Sequence, residues 1–241
     1  MIFFRRIIPG VSLLFFLCLF SCRVNKPNAT TPLRIGSCGD YPPLTTYDTT
    51  TLTFQGADID LARELGKHLG RPVTFIKTTW PALQSDLLAG KFDIAIGGIS
   101  ITAARQQKCL FSDPLITDRK VALFRRRDSA RYTHFAQMDI PGVTIIENKG
   151  GTNQQFAQAH IRQATLQIIT ENQQIFPLLL AGKADVMFTD ETEALYQQTL
   201  HPDFFVKQLP DSISPVFYKA IMLRKTDEKL QQTINKWLRQ R

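Results

Sequence analysis

The chain has four cysteines among 241 residues, and the first two, Cys18 and Cys22, lie in an N-terminal leader. Neither Cys38 nor Cys109 has a histidine or second cysteine nearby at metal-ligand spacing, so zinc-finger and ribbon architectures are excluded and no metal or other cofactor is expected. An oxidising compartment would permit a Cys38–Cys109 disulfide, and two buried thiols are the other reading. No apolar run is long enough to cross a bilayer comfortably, which takes about 20 residues. The best one, Ile7 to Phe20, is broken by Pro9, Gly10 and Ser12. The phosphate-binding G-x-x-x-x-G-K-[ST] spacing is missing. A basic stripe is missing too. The formal net charge is +8, but Lys and Arg are scattered apart from Arg125-Arg126-Arg127. That distribution argues against nucleic acid and suits a protein that collects small anions.

What is present begins with an export signal. Arg5 and Arg6 precede the apolar run, and no A-x-A site follows it. The run ends instead in Leu19-Phe20-Ser21-Cys22, which resembles a bacterial lipoprotein processing site with Cys22 as the lipid-bearing residue. The expectation is a signal peptide over 1–21, a polar tether over 22–32, and a periplasmic protein tethered to the membrane through Cys22.

After the tether, short β-branched runs alternate with helical patterns. Strands are expected at Leu33–Gly36, Val73–Ile76 and Phe92–Ile96. Helices are expected over Ala57–Leu69, where Ile59, Leu61, Ala62, Leu65 and Leu69 share a face, and over Trp80–Ala89, closed by Gly90. This βαβαβ rhythm predicts an α/β fold, a mainly parallel sheet with helices on both faces. The chain also echoes itself. LLAGKFDIAI at 87–96 returns as LLAGKADVMF at 179–188, with Gly90, Asp93 and Leu88 matching Gly182, Asp185 and Leu180. The echo implies two related lobes. The second would hold strands at Val143–Glu147, Leu166–Ile169 and Ala184–Phe188, and helices from Thr152 and over Asn172–Leu180. Phe204–Lys207 and Ala220–Leu223 read as later strands and Asp227–Leu238 as a last helix.

Ligands of open parallel sheets bind beyond the carboxyl ends of the strands. Here that rule selects Ser37 to Tyr41, Gly97 to Ser100 with Arg105, Asn148 to Asn153, and Thr189 to Glu193. In Gly150-Gly151-Thr152-Asn153 the glycines admit a ligand to main-chain N–H groups at a helix start, unless Thr152 is simply an N-cap. Arg105 can grip a carboxylate in a fork. Asp190 and Glu193 have the spacing of a capping box, worth about 1 kcal/mol at the N-cap, and this is their default reading. Enclosed in an apolar cleft, Glu193 could instead keep its proton and serve as a general acid.

Together, GADIDLARELGKHLG, Trp80-Pro81, LLAGKFDIAIGGISIT-x-x-R-Q and the second GK-x-D resemble the extracytoplasmic solute-binding proteins of amino-acid transporters. The resemblance implies a type II periplasmic-binding-protein-like fold, two α/β lobes joined by two crossover strands. Lobe 1 would comprise 33–118 and 213–241, and lobe 2 would comprise 119–212. A narrower resemblance, carried by GDY, T-x-W-P, N-x-GGTN, TD-x-x-EA and YKA, is to the periplasmic cyclohexadienyl dehydratases. It implies loss of water and CO2 from prephenate, giving phenylpyruvate, with arogenate as a second substrate and Glu193 as general acid. Arg105, Gly151, Thr152 and Asn153 would hold carboxylate, and Asp40, Trp80, Ser100, Lys120, Asn148 and Asp190 would line the cleft. The alternative is a non-catalytic amino-acid or carboxylate receptor serving an ABC permease.

Overall fold

The computed structural model describes residues 31–241. The signal peptide, Cys18, Cys22 and nearly all of the tether lie outside the described residues. The echo in the sequence becomes two five-stranded sheets with the same spatial order. In the first, Val73–Lys77, Leu33–Ser37 and Ile94–Ala95 run parallel, followed by antiparallel Met222–Arg224 and then Cys109–Phe111. In the second, Thr165–Ile169, Thr144–Asn148 and Val186–Asp190 run parallel, followed by antiparallel Lys120–Arg125 and then Phe204–Gln208. Between the sheets, Ile116–Asp118 pairs antiparallel with Phe217–Lys219. The chain therefore leaves one lobe and re-enters it through two adjacent strands.

Each sheet is covered on both faces. Leu33, Ile35, Leu65, Ile94, Leu223 and Trp237 form one core of the first lobe, and Leu83, Leu87, Phe92, Ala95 and Met222 form the other. Alternation along a strand explains the split, since Ile94 enters the first core and Ala95 the second. The second lobe repeats the plan, with Phe124, Ile145 and Phe188 on one side and Leu123, Ile146 and Met187 on the other.

The paired GK-x-D segments do equivalent structural work. Gly90 and Gly182 end helices Leu83–Leu88 and Ile175–Leu180 at φ of 71° and 70°, a region where glycine has no Cβ penalty. Asp93 Oδ2 then accepts from Arg34 N at 3.0 Å, and Asp185 Oδ2 accepts from Thr144 N at 2.9 Å. Each carboxylate thus ties its strand to the neighbouring parallel strand and is not free for a ligand.

Several expected elements are shorter or shifted. The Trp80–Ala89 helix covers Leu83–Leu88, because Thr79 O first closes a turn onto Ala82 N and Leu83 N. Asn172–Gln174 is 3-10, and regular helix starts at Ile175. The Phe92–Ile96 strand makes ladder pairs over Ile94–Ala95. The strand expected at Ala184–Phe188 is Val186–Asp190, which places Thr189 and Asp190 on the sheet. Asp40–Tyr41, Thr45–Asp48 and Thr53–Gln55, unread in the sequence, form a small antiparallel sheet. Cys38 and Cys109 are buried free thiols.

Candidate active site between the lobes

A narrow pocket lies where the carboxyl ends of the parallel strands of both lobes converge. Trp80, Ser100, Arg105, Asn148, Gly151, Thr152, Asn153 and Asp190, all singled out in the sequence, line it together with Tyr41, Gly98 and Asn172. Asp40, Lys120 and Glu193 stand behind this lining. The lobes are in contact around it. Trp80 Nε1 donates to Asp40 Oδ1 at 3.0 Å, and the Asp40 carbonyl accepts from Asn172 Nδ2 at 2.9 Å and Gln173 Nε2 at 2.7 Å on the opposite lobe. A Cβ on Gly150, which has φ +82°, would fall 2.5 Å from Pro81 Cγ across the cleft. Gly150→Ala is therefore expected to hold the lobes apart and weaken ligand binding, measured by titration calorimetry, and to lower the melting temperature as well, because a side chain at this φ is strained.

Asp190 is wholly engaged by protein. Lys120 Nζ donates to its Oδ1 at 2.5 Å, while Lys219 Nζ and the Tyr41 hydroxyl, at 2.7 Å, donate to its Oδ2. Lys120 also donates to Thr152 Oγ1 at 3.1 Å and to Asn153 Oδ1, and Asp118 Oδ2 lies 3.6 Å from Lys219 Nζ. Burial alone would raise the Asp190 carboxyl, but the two lysines overcome it and hold the group well below the usual range. Neither its side chain nor that of Thr152 caps a helix, so two sequence expectations need correction. Asp190 occupies the N-cap position of helix Glu191–Leu200 without a side-chain cap bond, because its oxygens are taken by Lys120, Lys219 and Tyr41. Thr152 is the first residue of its helix, with Gly151 at the cap, and its hydroxyl turns to Lys120.

Glu193 behaves in the opposite way. It is fully buried and makes no ion pair among the described residues. Its Oε1 accepts from Asn172 Nδ2 at 3.1 Å, and its Oε2 lies 2.5 Å from Thr189 Oγ1. Burial pushes this carboxyl up to about 8, opposed by the Thr189 bond and reinforced by the negative charge of Asp190 and Asp40. Asp40 itself is raised to about 6 by burial, against the pull of the Trp80 N–H. Glu191, the added carboxylate in the box, turns outward to accept from Gln208 Nε2 at 2.9 Å.

Arg105 reaches the cavity from a short helix, Ala103–Gln106, whose N-cap Thr102 accepts from Arg105 N at 3.3 Å. Its Nη1 donates to the Ser100 carbonyl at 2.8 Å, and it makes no ion pair among the described residues. Burial lowers its pKa, as expected for a desolvated cation with no carboxylate beside it. Opposite, Gly151 packs so tightly that a Cβ would lie 3.0 Å from Asn148 Nδ2.

Sequence reasoning missed Lys219 and Asn172 as site residues, and gave no role to Tyr41 and Thr189 within the loops it selected. Lys219 and Tyr41 sat within quoted motifs, but their meeting at Asp190 depends on contacts 29 and 149 residues apart in sequence. Asn172 read as a helix start, and Thr189 as a loop residue.

Two α/β lobes joined by paired crossover strands, with a pocket between them at the strand ends, define the class of cleft-closing ligand-binding proteins. Within that class the chain belongs to the bacterial extracellular solute-binding proteins, family 3, whose model matches residues 33–241. It is 37% identical over 206 residues to the cyclohexadienyl dehydratase of Pseudomonas aeruginosa, covering 86% of this chain and 76% of that one. It is 29% identical over 212 residues to the histidine-binding periplasmic protein of Escherichia coli, covering 85% and 80%. Among solved structures it resembles an ancestral amino acid-binding protein described as a precursor of cyclohexadienyl dehydratase. That likeness has a TM-score of 0.79 and 32% identity, covering 87% of this chain and 88% of that one.

Proposed function

We propose that this protein is a periplasmic lyase that converts prephenate to phenylpyruvate, with arogenate to phenylalanine as the amino counterpart. The observation that carries the reading is the divergence of two carboxyls three residues apart. Asp190 is locked as an anion between lysines, while Glu193 is buried without a cation and keeps its proton up to about pH 8. Two carboxyls pushed apart by their surroundings are the mark of an assigned acid. Binding alone requires no such acid.

In this reading the unpaired Arg105 and the Gly151–Asn153 turn hold a substrate carboxylate. Glu193 protonates the ring hydroxyl as its C–O bond breaks, and the oxygen leaves as water. The bond from the ring to its carboxylate breaks in concert. Its electron pair completes the aromatic ring and CO2 departs. Glu193, left as a carboxylate, regains a proton from solvent on opening. Aromatisation supplies the drive, so orientation and one acid suffice. No metal or cofactor enters the scheme.

The first test is to mix purified protein with prephenate at neutral pH against a protein-free control, following phenylpyruvate by its absorbance in alkali. Turnover well above the control supports the reading. None, with amino acids raising the melting temperature, moves the protein to the receptors of an ABC permease. That second reading has the family's histidine-binding relatives behind it. Against it, an α-amino acid needs a free carboxylate for its ammonium, and both oxygens of Asp190 are already engaged. The same crowding predicts a higher kcat/KM for prephenate than for arogenate, measured side by side.

The pH dependence follows from Glu193. Turnover is expected to fall as pH rises through about 8, where the acid loses its proton. Its folded value lies above the unfolded one, so its contribution to stability is complete below about pH 4.3 and is lost as pH rises towards 8. Denaturation midpoints between pH 5 and 9 check the sign. As further parts of the same proposal, the protein is exported to the periplasm and held to the membrane by lipid on Cys22.

A further inference from the structure

Asn172 is the side chain that joins the cleft, the opposite lobe and Glu193. It is 3% exposed and lines the cavity. One Nδ2 hydrogen goes across the cleft to the Asp40 carbonyl at 2.9 Å, and the other goes to Glu193 Oε1 at 3.1 Å. The orientation of the amide follows, because the Asp40 carbonyl can only accept. Its Oδ1 is left buried and without a hydrogen-bond partner. A buried acceptor with no donor is costly unless something else supplies one.

We infer that Asn172 is a substrate-positioning residue whose Oδ1 accepts the hydrogen bond of the leaving hydroxyl. The inference rests on the dehydratase reading above and adds a contact to it. With its own hydrogen pointed at Asn172 Oδ1, the hydroxyl oxygen turns a lone pair towards the carboxyl of Glu193, which is bonded to the same amide. The C–O bond then breaks as the Glu193 proton forms the second O–H of water. The bond to the Asp40 carbonyl makes this arrangement conditional on closure. When the lobes part, that bond is lost and the amide, no longer held from the opposite lobe, is free to turn away from Glu193, which keeps only Thr189. Closure and the placing of the acid are therefore one event. Gln173 offers a control within the same turn. Its Nε2 donates to the same Asp40 carbonyl at 2.7 Å, but it touches neither Glu193 nor the cavity.

The test compares Asn172→Ala with Gln173→Ala in the full protein. Asn172→Ala should lower kcat about tenfold or more. It should also move the alkaline limb of the pH profile upward, because the carboxylate form of Glu193 loses a donor. Gln173→Ala weakens the latch and should leave the alkaline limb where it is. In a Glu193→Gln background, where turnover is expected to be slow enough for binding to be read, Asn172→Ala should weaken prephenate binding about tenfold while phenylpyruvate, lacking the ring hydroxyl, binds as before. Equal loss of both ligands, or an unmoved alkaline limb, overturns the positioning role. Wild-type protein that neither converts nor binds prephenate overturns the dehydratase reading itself. Normal wild-type turnover with an unaltered Asn172→Ala kcat overturns this inference alone.

Discussion

Glu193→Gln is expected to lower kcat on prephenate by about 10²–10⁴-fold, the usual worth of a general acid, while leaving substrate affinity and fold nearly intact. The geometry explains why the loss falls on chemistry. At neutral pH Glu193 already carries its proton, so the amide replaces a neutral group of the same shape. The amide oxygen can still accept from Asn172, and the Thr189 hydroxyl, which donates to Glu193 Oε2, can turn to accept from the amide nitrogen instead. What disappears is the transferable proton. Steady-state kinetics and calorimetry on the same preparation separate the two effects. Normal turnover in this variant would remove Glu193 from the chemistry and leave it as a structural carboxyl.

The second large effect is on stability and belongs to Asp190. Asp190→Asn should cost about 3–5 kcal/mol in chemical denaturation, because removing one partner of a buried ion cluster leaves the others uncompensated. Here two ammonium groups lose their shared counter-charge at once, and Lys219 keeps only the more distant Asp118, at 3.6 Å. The folded pKa of Asp190 is depressed, so the stability it contributes is present above the unfolded carboxyl value of about 3.9 and is lost as pH falls below it. The gap between wild type and variant should therefore be full at pH 7 and shrink in strong acid. A cost under about 1 kcal/mol at pH 7 would mean that the lysines find other partners or shed their charge. Two carboxyls three residues apart are thus expected to fail in different assays, one in catalysis and the other in folding.

That contrast also marks how far the sequence could be read. The D-x-x-E spacing of Asp190 and Glu193 is the same whether the pair caps a helix or divides into an anion and an acid. The difference is set by Lys120 and Lys219, which arrive on crossover-linked strands far away in the chain. Local pattern did reveal the lobes, because the GK-x-D echo records a tie repeated in both sheets, Asp93 to Arg34 and Asp185 to Thr144. The loops at the strand ends were legible for the same reason, since the topology rule needs only strand order. Asn172 carried no local signal. An asparagine before an apolar helical run looks like a helix start, and its importance lies in two neighbours, Asp40 and Glu193, from two distant segments. The small sheet Asp40–Tyr41, Thr45–Asp48, Thr53–Gln55 went unread because its strands are shorter than any window that shows alternation.

The re-entry of the chain into its first lobe has a consequence for how the molecule is made. Strand Met222–Arg224 lies between Ile94–Ala95 and Cys109–Phe111. The first sheet therefore cannot close until Met222–Arg224 is in place, and its closure must bear the entropy of the long loop that separates this strand from Cys109–Phe111. The second sheet draws its strands from one continuous stretch, from Lys120 to Gln208. It can assemble while the first sheet still lacks Met222–Arg224. Ile35 and Ile94 meanwhile wait beside an unfilled slot, the interval in which a chaperone or protease has most to grip.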